Sequence, residues 1–160
     1  MPAAEPEFRA GAATSTITPP LGSEIVGGFH PFPATHIHDE LLARCIVLDD
    51  GTTRLAIVVC DLLGFHRSVG DEARRLIEAE TGIPAKHVLI SATHTHSAAS
   101  ALGTGGGLAR YLTVQKPLDA YQSFVARRIA DGVRRAVNLL RPAEAAWGTV
   151  DVPEHLFNRR

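Results

Sequence analysis

Arg54-Leu-Ala-Ile-Val-Val-Cys-Asp-Leu-Leu63 is followed by Ser68-Val-Gly-Asp71 and then by His87-Val-Leu-Ile-Ser91. That succession decides the fold. Both apolar runs are short, rich in β-branched residues and bounded by turn formers, as buried strands are. Between them Val69, Ala73, Leu76 and Ile77 share one face at helical spacing, with Glu72, Arg74, Arg75 and Glu78 opposite. Ser68 is placed to cap this helix, and Asp71 three residues on completes a box-like pattern. Gly82 and Pro84 stop it. Residues 54–93 therefore read as strand, helix and strand, and such a crossover joins parallel strands with a right-handed turn.

Working outward, residues 41–48 form a strand paired with 54–63 through a hairpin at Asp49-Asp50-Gly51-Thr52, because Asp-Gly tolerates the positive φ of a tight turn. That turn sets Cys45 opposite about residue 56–58 rather than opposite Cys60, so the two cysteines are expected as buried free thiols. Residues 8–17 read as a first strand ended by Thr18-Pro19-Pro20, and 21–36 as a loop. A second helix is expected over 118–140, with Tyr121, Phe124, Val125, Ile129, Val133, Ala136, Val137 and Leu140 as its apolar face. Residues 143–152, around Trp147, read as a last strand. The expectation is a single α/β domain over 1–160. It has a mixed β-sheet with a β-hairpin and a right-handed βαβ unit, and helices packed on the sheet.

The chain has 160 residues with a formal net charge of -1, so nothing recommends nucleic acid as a partner. Arg127, Arg128, Arg134 and Arg135 cluster, but on the outer face of the second helix. No apolar stretch approaches the ~20 residues that span a bilayer. The opening Met-Pro-Ala-Ala-Glu-Pro-Glu lacks a basic segment followed by an apolar one, so a cytoplasmic location is the expectation. Gly103-Thr-Gly-Gly-Gly107 lacks the Lys-Ser/Thr of a phosphate-binding loop and reads as a loop over the sheet rim.

Chemistry concentrates at Ala92-Thr-His-Thr-His-Ser97, directly after the second strand. Alternate residues of an extended chain share a face, which sets His94 and His96 about 6.6–7 Å apart along the backbone. Two imidazoles so placed can hold one divalent cation, or divide metal and substrate between them. They can equally be polar residues that close a strand. Parallel strands finish at the same sheet edge, so Asp61 is expected at the same rim, where open α/β sheets place their ligands. A turn carboxylate is the plainer role for Asp61. His36 and His38 form a second His-x-His pair, read as loop and strand-start polarity.

With these residues in view, the chain resembles the neutral/alkaline non-lysosomal ceramidase family, over its N-terminal part. Thr16-Ile-Thr-Pro-Pro20 is similar to the family's early Asp-Ile-Thr-Pro-Pro, Gly27-Gly-Phe29 to its Met-Gly-Tyr loop, and His38-Asp-Glu-Leu-Leu-Ala-Arg44 to its His-Asp-Pro-Leu-Tyr-Ala-Arg. Val59-Cys-Asp-Leu-Leu-Gly64 resembles its Asp-Leu-Gly strand end, Ala92-Thr-His-Thr-His-Ser97 is the clearest match, and Asn158-Arg159 resembles its closing Asn-Arg. Where the family continues with Gly-Pro-Gly-Gly, this chain has Ala98-Ala-Ser-Ala101.

The resemblance implies a zinc-dependent amidase that splits ceramide, or a related lipid or small-molecule N-acyl amide. On it, His94 matches a zinc ligand. His96 matches the histidine that hydrogen-bonds the developing oxyanion, and Arg159 and Gly28 match residues lining the same pocket. Asp61 and His38 are carried as support without a defined role. Zn2+ is the implied cofactor; it sharpens water as a nucleophile near neutral pH. The family takes its other zinc ligands and a serine from later sequence. The implied chain is thus incomplete relative to the family domain, weakly active or inactive alone, with a missing C-terminal portion as its partner. Two other readings stand beside it. One is a small metallohydrolase with Asp61, His94 and His96 as a three-ligand set; the other is a non-catalytic α/β remnant used for binding or assembly.

Overall fold

A computed structural model describes residues 7–28, 30–103 and 117–157. Its elements are β1 (Arg9–Thr16), β2 (Glu24–Ile25), β3 (Phe32–Pro33), β4 (Leu42–Asp49) and β5 (Arg54–Cys60). These are followed by α1 (Arg67–Thr81), β6 (Val88–Ala92), α2 (Ala120–Asn138) and β7 (Arg141–Pro142). Five strands form one mixed sheet in the order β6-β5-β4-β1-β7, and β2 pairs with β3 apart from it. The β4–β5 hairpin is antiparallel and the β5–α1–β6 crossover joins parallel strands. The fold is α/β, as the sequence predicts.

The hairpin register follows from its turn. Gly51 takes φ 84°, and the Asp50 carboxylate accepts from the Thr52 and Thr53 amides. Cys45 consequently faces Val58, and both cysteines are buried and free. Burial pushes each thiol up to about 12, so both stay protonated at physiological pH.

Alternation within the strands separates two faces. Ala43, Cys45, Val47, Ala56, Val58, Cys60, Val88 and Ile90 point to one side and join Val69, Ala73 and Ile77 of α1 and Val125, Ile129 and Val133 of α2 in a single core. α2 lies close on β1 and β4: a Cβ at Gly11 would sit 2.1 Å from the Ala136 carbonyl oxygen, and one at Gly132 would sit 2.6 Å from Cys45 Sγ.

Three local expectations are corrected. α1 is capped at His66 rather than Ser68, with no side-chain cap hydrogen bond. The chain entering it is held instead by bridges from the Leu63 and His66 amides to the Ala99 and Ala101 carbonyls. Phe124 is 40% exposed, while Gln122, Ala126 and Ala130 take the buried face of α2. Residues 143–152 form no strand. Of the described residues after α2, only Arg141 and Pro142 pair with β1, and Trp147 is 92% exposed.

Candidate functional site

The βαβ crossover brings Asp61 and the residues after β6 to the same rim of the sheet. Cys60 faces Ala92 across the parallel pair, and the Thr93 amide donates to the Cys60 carbonyl at 2.9 Å. From there the chain runs back along residues 61–66 and against the β2 region. The Val26 amide donates to Ala98 O at 3.1 Å, the Ala101 amide donates to Gly64 O at 2.9 Å, and Val26, Leu63 and Leu102 pack as a small cluster.

β6 ends at Ala92, so His94 and His96 lie beyond the strand rather than alternating along it. What brings their rings together is a turn. His94 has φ 59°, among the described residues the one non-glycine in the left-handed region. Such backbone costs about 1–3 kcal/mol and persists only where the surroundings impose it. Here a hydrogen bond imposes it: Nδ1 of His94 lies 2.8 Å from the Leu63 carbonyl oxygen. A carbonyl only accepts, so Nδ1 carries the proton and donates, and the Nε2 lone pair is left for a cation. The His96 ring stands edge-on to it, centroids 5.0 Å apart and planes 71° apart. Both side chains are exposed.

Behind His96 lies Gly27 of the Gly27-Gly-Phe29 loop, a residue to which sequence reasoning gives no role. Gly27 has φ 114°, and a Cβ there would sit 2.7 Å from Cα, Cβ and Cγ of His96. Gly28, carried over by resemblance, has more room: a Cβ on it would find its nearest neighbour, the His30 carbonyl, at 3.8 Å. Gln122 was also missed. It is fully buried and donates from Nε2 to the Ala101 carbonyl at 3.2 Å, tying α2 to the segment after the histidines. Its signal was present as Asp119-x-x-Gln122, which forms a reciprocal capping box.

Asp61 reaches the rim but is committed elsewhere. Its carboxylate takes Arg44 Nη1 on both oxygens, at 2.6 and 2.5 Å, and accepts the Leu42 amide at 3.1 Å. Among the described residues no group of three or more His, Cys, Asp or Glu side chains is placed to hold a metal ion. Asp61, His94 and His96 therefore do not assemble the three-ligand set. His38 is exposed, 3.7 Å from its neighbour Asp39, and His36 lies beside Thr35; both line the groove described below. Arg159 and most of the Gly103–Gly107 loop fall outside the described residues.

Beside the histidine corner runs a groove of about 890 Å3 between the β2–β3 hairpin, residues 34–42 and residues 95–99. Leu21, Phe32 and Ile37 give it apolar walls, while Arg44, Asp61 and Ser97 supply polar points.

This architecture matches solved structures. Over 87% of this chain it superposes on neutral ceramidase from Pseudomonas aeruginosa with a TM-score of 0.66 and 23% identity. It has the fold of a portion of a neutral ceramidase. A ceramidase complexed with C2 matches equally, at TM-score 0.66 and 23% identity over 85% of this chain. The match spans only 23% and 22% of those two ceramidase chains. No protein-family profile matches the sequence, and no curated protein does. Among the described residues no helix is long and apolar enough to cross a membrane.

Proposed function

We propose that this chain forms part of a ceramidase-like zinc amidase acting on ceramide or a related N-acyl lipid, and that alone it is weakly active or inactive. The observation that carries the reading is the tautomer of His94. Nδ1 is spent on the Leu63 carbonyl, so Nε2 is free to ligate, with the His96 ring edge-on at 5.0 Å. In this reading His94 supplies one zinc ligand. His96 donates a hydrogen bond to the amide oxygen as charge builds there, an effect worth about 3–4 kcal/mol for a well-placed donor. Gly28 and Arg159 are carried into this reading by the family resemblance alone, as matches to residues that line the family's pocket. The apolar groove suits a lipid chain.

A catalytic zinc usually takes three protein ligands. The described residues do not fit that requirement, since no three donors converge among them. A further polypeptide portion completes the site in this reading. Asp61 acts as the counter-ion that orients Arg44 rather than as a ligand.

Zinc titration of the purified chain by calorimetry, with a short-chain fluorogenic ceramide as substrate, tests this. The expected result is weak zinc binding that is lost in His94→Ala and kept in Asp61→Ala, with no turnover by this chain alone. Equal zinc binding by the parent and His94→Ala contradicts the ligand assignment. Turnover by the chain alone, abolished in His96→Ala, contradicts the need for a further portion.

A further inference from the structure

Residues 98–102 leave the histidine corner and join two other parts of the chain. The Leu63 and His66 amides donate to the Ala99 and Ala101 carbonyls at 3.3 and 3.1 Å, and the Ala101 amide donates back to Gly64 O at 2.9 Å. Ala99, Ala101 and Leu102 are buried, and Leu102 packs with Leu63 and Val26. These contacts lock 63–66 and 99–102 into one unit. The Leu63 peptide in that unit also holds the ring: its amide is fixed by Ala99, and its carbonyl takes His94 Nδ1 at 2.8 Å. A second anchor comes from α2. Gln122, in its first turn, is fully buried, and its orientation follows from hydrogen-bond chemistry. The Asp119 amide can only donate and lies 3.0 Å from Oε1, so Nε2 faces the Ala101 carbonyl, 3.2 Å away. Ala101 O therefore accepts twice, once from His66 and once from α2.

We infer that Gln122 is a positioning residue for His94, acting through Ala101 and Leu63. The inference rests on the proposed function for the use made of the ring, and adds the group that sets it. A histidine keeps φ 59° only where something holds it there. The Leu63 carbonyl does so at 2.8 Å, and a shift of about 0.5 Å takes such a pair to the edge of hydrogen-bond range. Gln122 ties the unit that carries this carbonyl to a helix packed in the core. A carboxamide costs free energy to bury unless both its ends are bonded, whereas an apolar side chain would fill the same place on α2 without that demand. The capping box employs Oε1; the Nε2 bond reaches outside the helix, to the segment that fixes the ring.

The test reads the His94 ring by nitrogen NMR, without zinc or substrate, at about pH 8, where an ordinary imidazole is neutral. In the unmodified chain the expected signal is one tautomer, with the proton on Nδ1, and a ring contact to His96. Gln122→Met removes the donor, while Ala101 O keeps the His66 amide and the part-buried Asp119 amide can turn to water. The expected result is loss of the single tautomer, with signal moving to the Nε2–H form, and a weaker contact between the two rings. Two further variants separate positioning from a general loss of stability. Asp119→Ala breaks the cap but leaves the Nε2 donor, and Gly11→Ala crowds the other end of α2, at Ala136 and Leu140. Both should keep the Nδ1–H tautomer. A folded Gln122→Met with the tautomer unchanged overturns the inference, and so does an equal change in either of the other two variants. If Gln122→Met does not fold, the Gln122 carboxamide protons of the unmodified chain decide: slow exchange is expected, and exchange as fast as an exposed amide overturns the inference. Equal zinc binding by the parent and His94→Ala removes the functional reading and leaves the tautomer result standing. An unchanged tautomer beside intact zinc binding removes the positioning role alone.

Discussion

At the level of single residues, the site depends on two backbone positions with positive φ. His94 turns its ring toward His96, and Gly27 leaves the space in which His96 sits. Gly27→Ala adds a Cβ that meets the His96 backbone and ring base at 2.7 Å, on a φ of 114° that alanine rarely adopts. The expected cost is about 1–3 kcal/mol in chemical denaturation. The proton contact between the two imidazoles should also disappear from the NMR spectrum; an unshifted His96 would show that Gly27 does not seat it. The histidine pair was legible in the sequence because His-x-His after an apolar run has few readings. The turn at His94 and the Leu63 acceptor were not, since both depend on residues 61–66 folding back beside 99–101. Asp61 was correctly placed at the rim and its partner missed, because Arg44 reaches it from another strand.

Among the elements, the packing of α2 on β1 sets how closely the layers approach. Gly11→Ala puts a Cβ 2.1 Å from a backbone carbonyl of α2, where no flexible side chain can yield. A loss of roughly 1–3 kcal/mol is expected despite alanine's better strand propensity, and an unchanged unfolding midpoint would contradict this contact. The hairpin end carries an acid-sensitive element. Asp49 is buried and accepts from Arg54, Gly51 and Arg9; the Arg54 hydrogen bonds lead in holding its carboxyl below the usual carboxylate value. Because the folded pKa is the lower one, this contribution is complete above the ordinary carboxylate range and is lost as pH falls through that range toward the lowered value. Asp49→Asn should remove about 1.5–3 kcal/mol near neutral pH and flatten the acid limb of the stability curve. A parallel downward offset at every pH would contradict the linkage. Strand and helix identities were legible from periodicity, and the hairpin register from Asp-Gly. The start of α1 and the tail after β7 were not. Bridges to residues 99–101 position the first, and among the described residues after α2 only Arg141 and Pro142 pair, with Ala10 and Arg9 of β1.

For the molecule as a whole, among the described residues helices cover one sheet face and none covers the other, and the rim between them holds two imidazoles, one with its outer nitrogen unspent. That arrangement agrees with a fold shared over less than a quarter of the ceramidase chains. The central claim is that His94 Nε2 is a zinc donor. A crystal of the chain grown with zinc, with anomalous data collected at the zinc edge, tests it directly. The expected result is a peak about 2.0–2.1 Å from His94 Nε2. A peak only at His36 and His38, or none near His94, would contradict it.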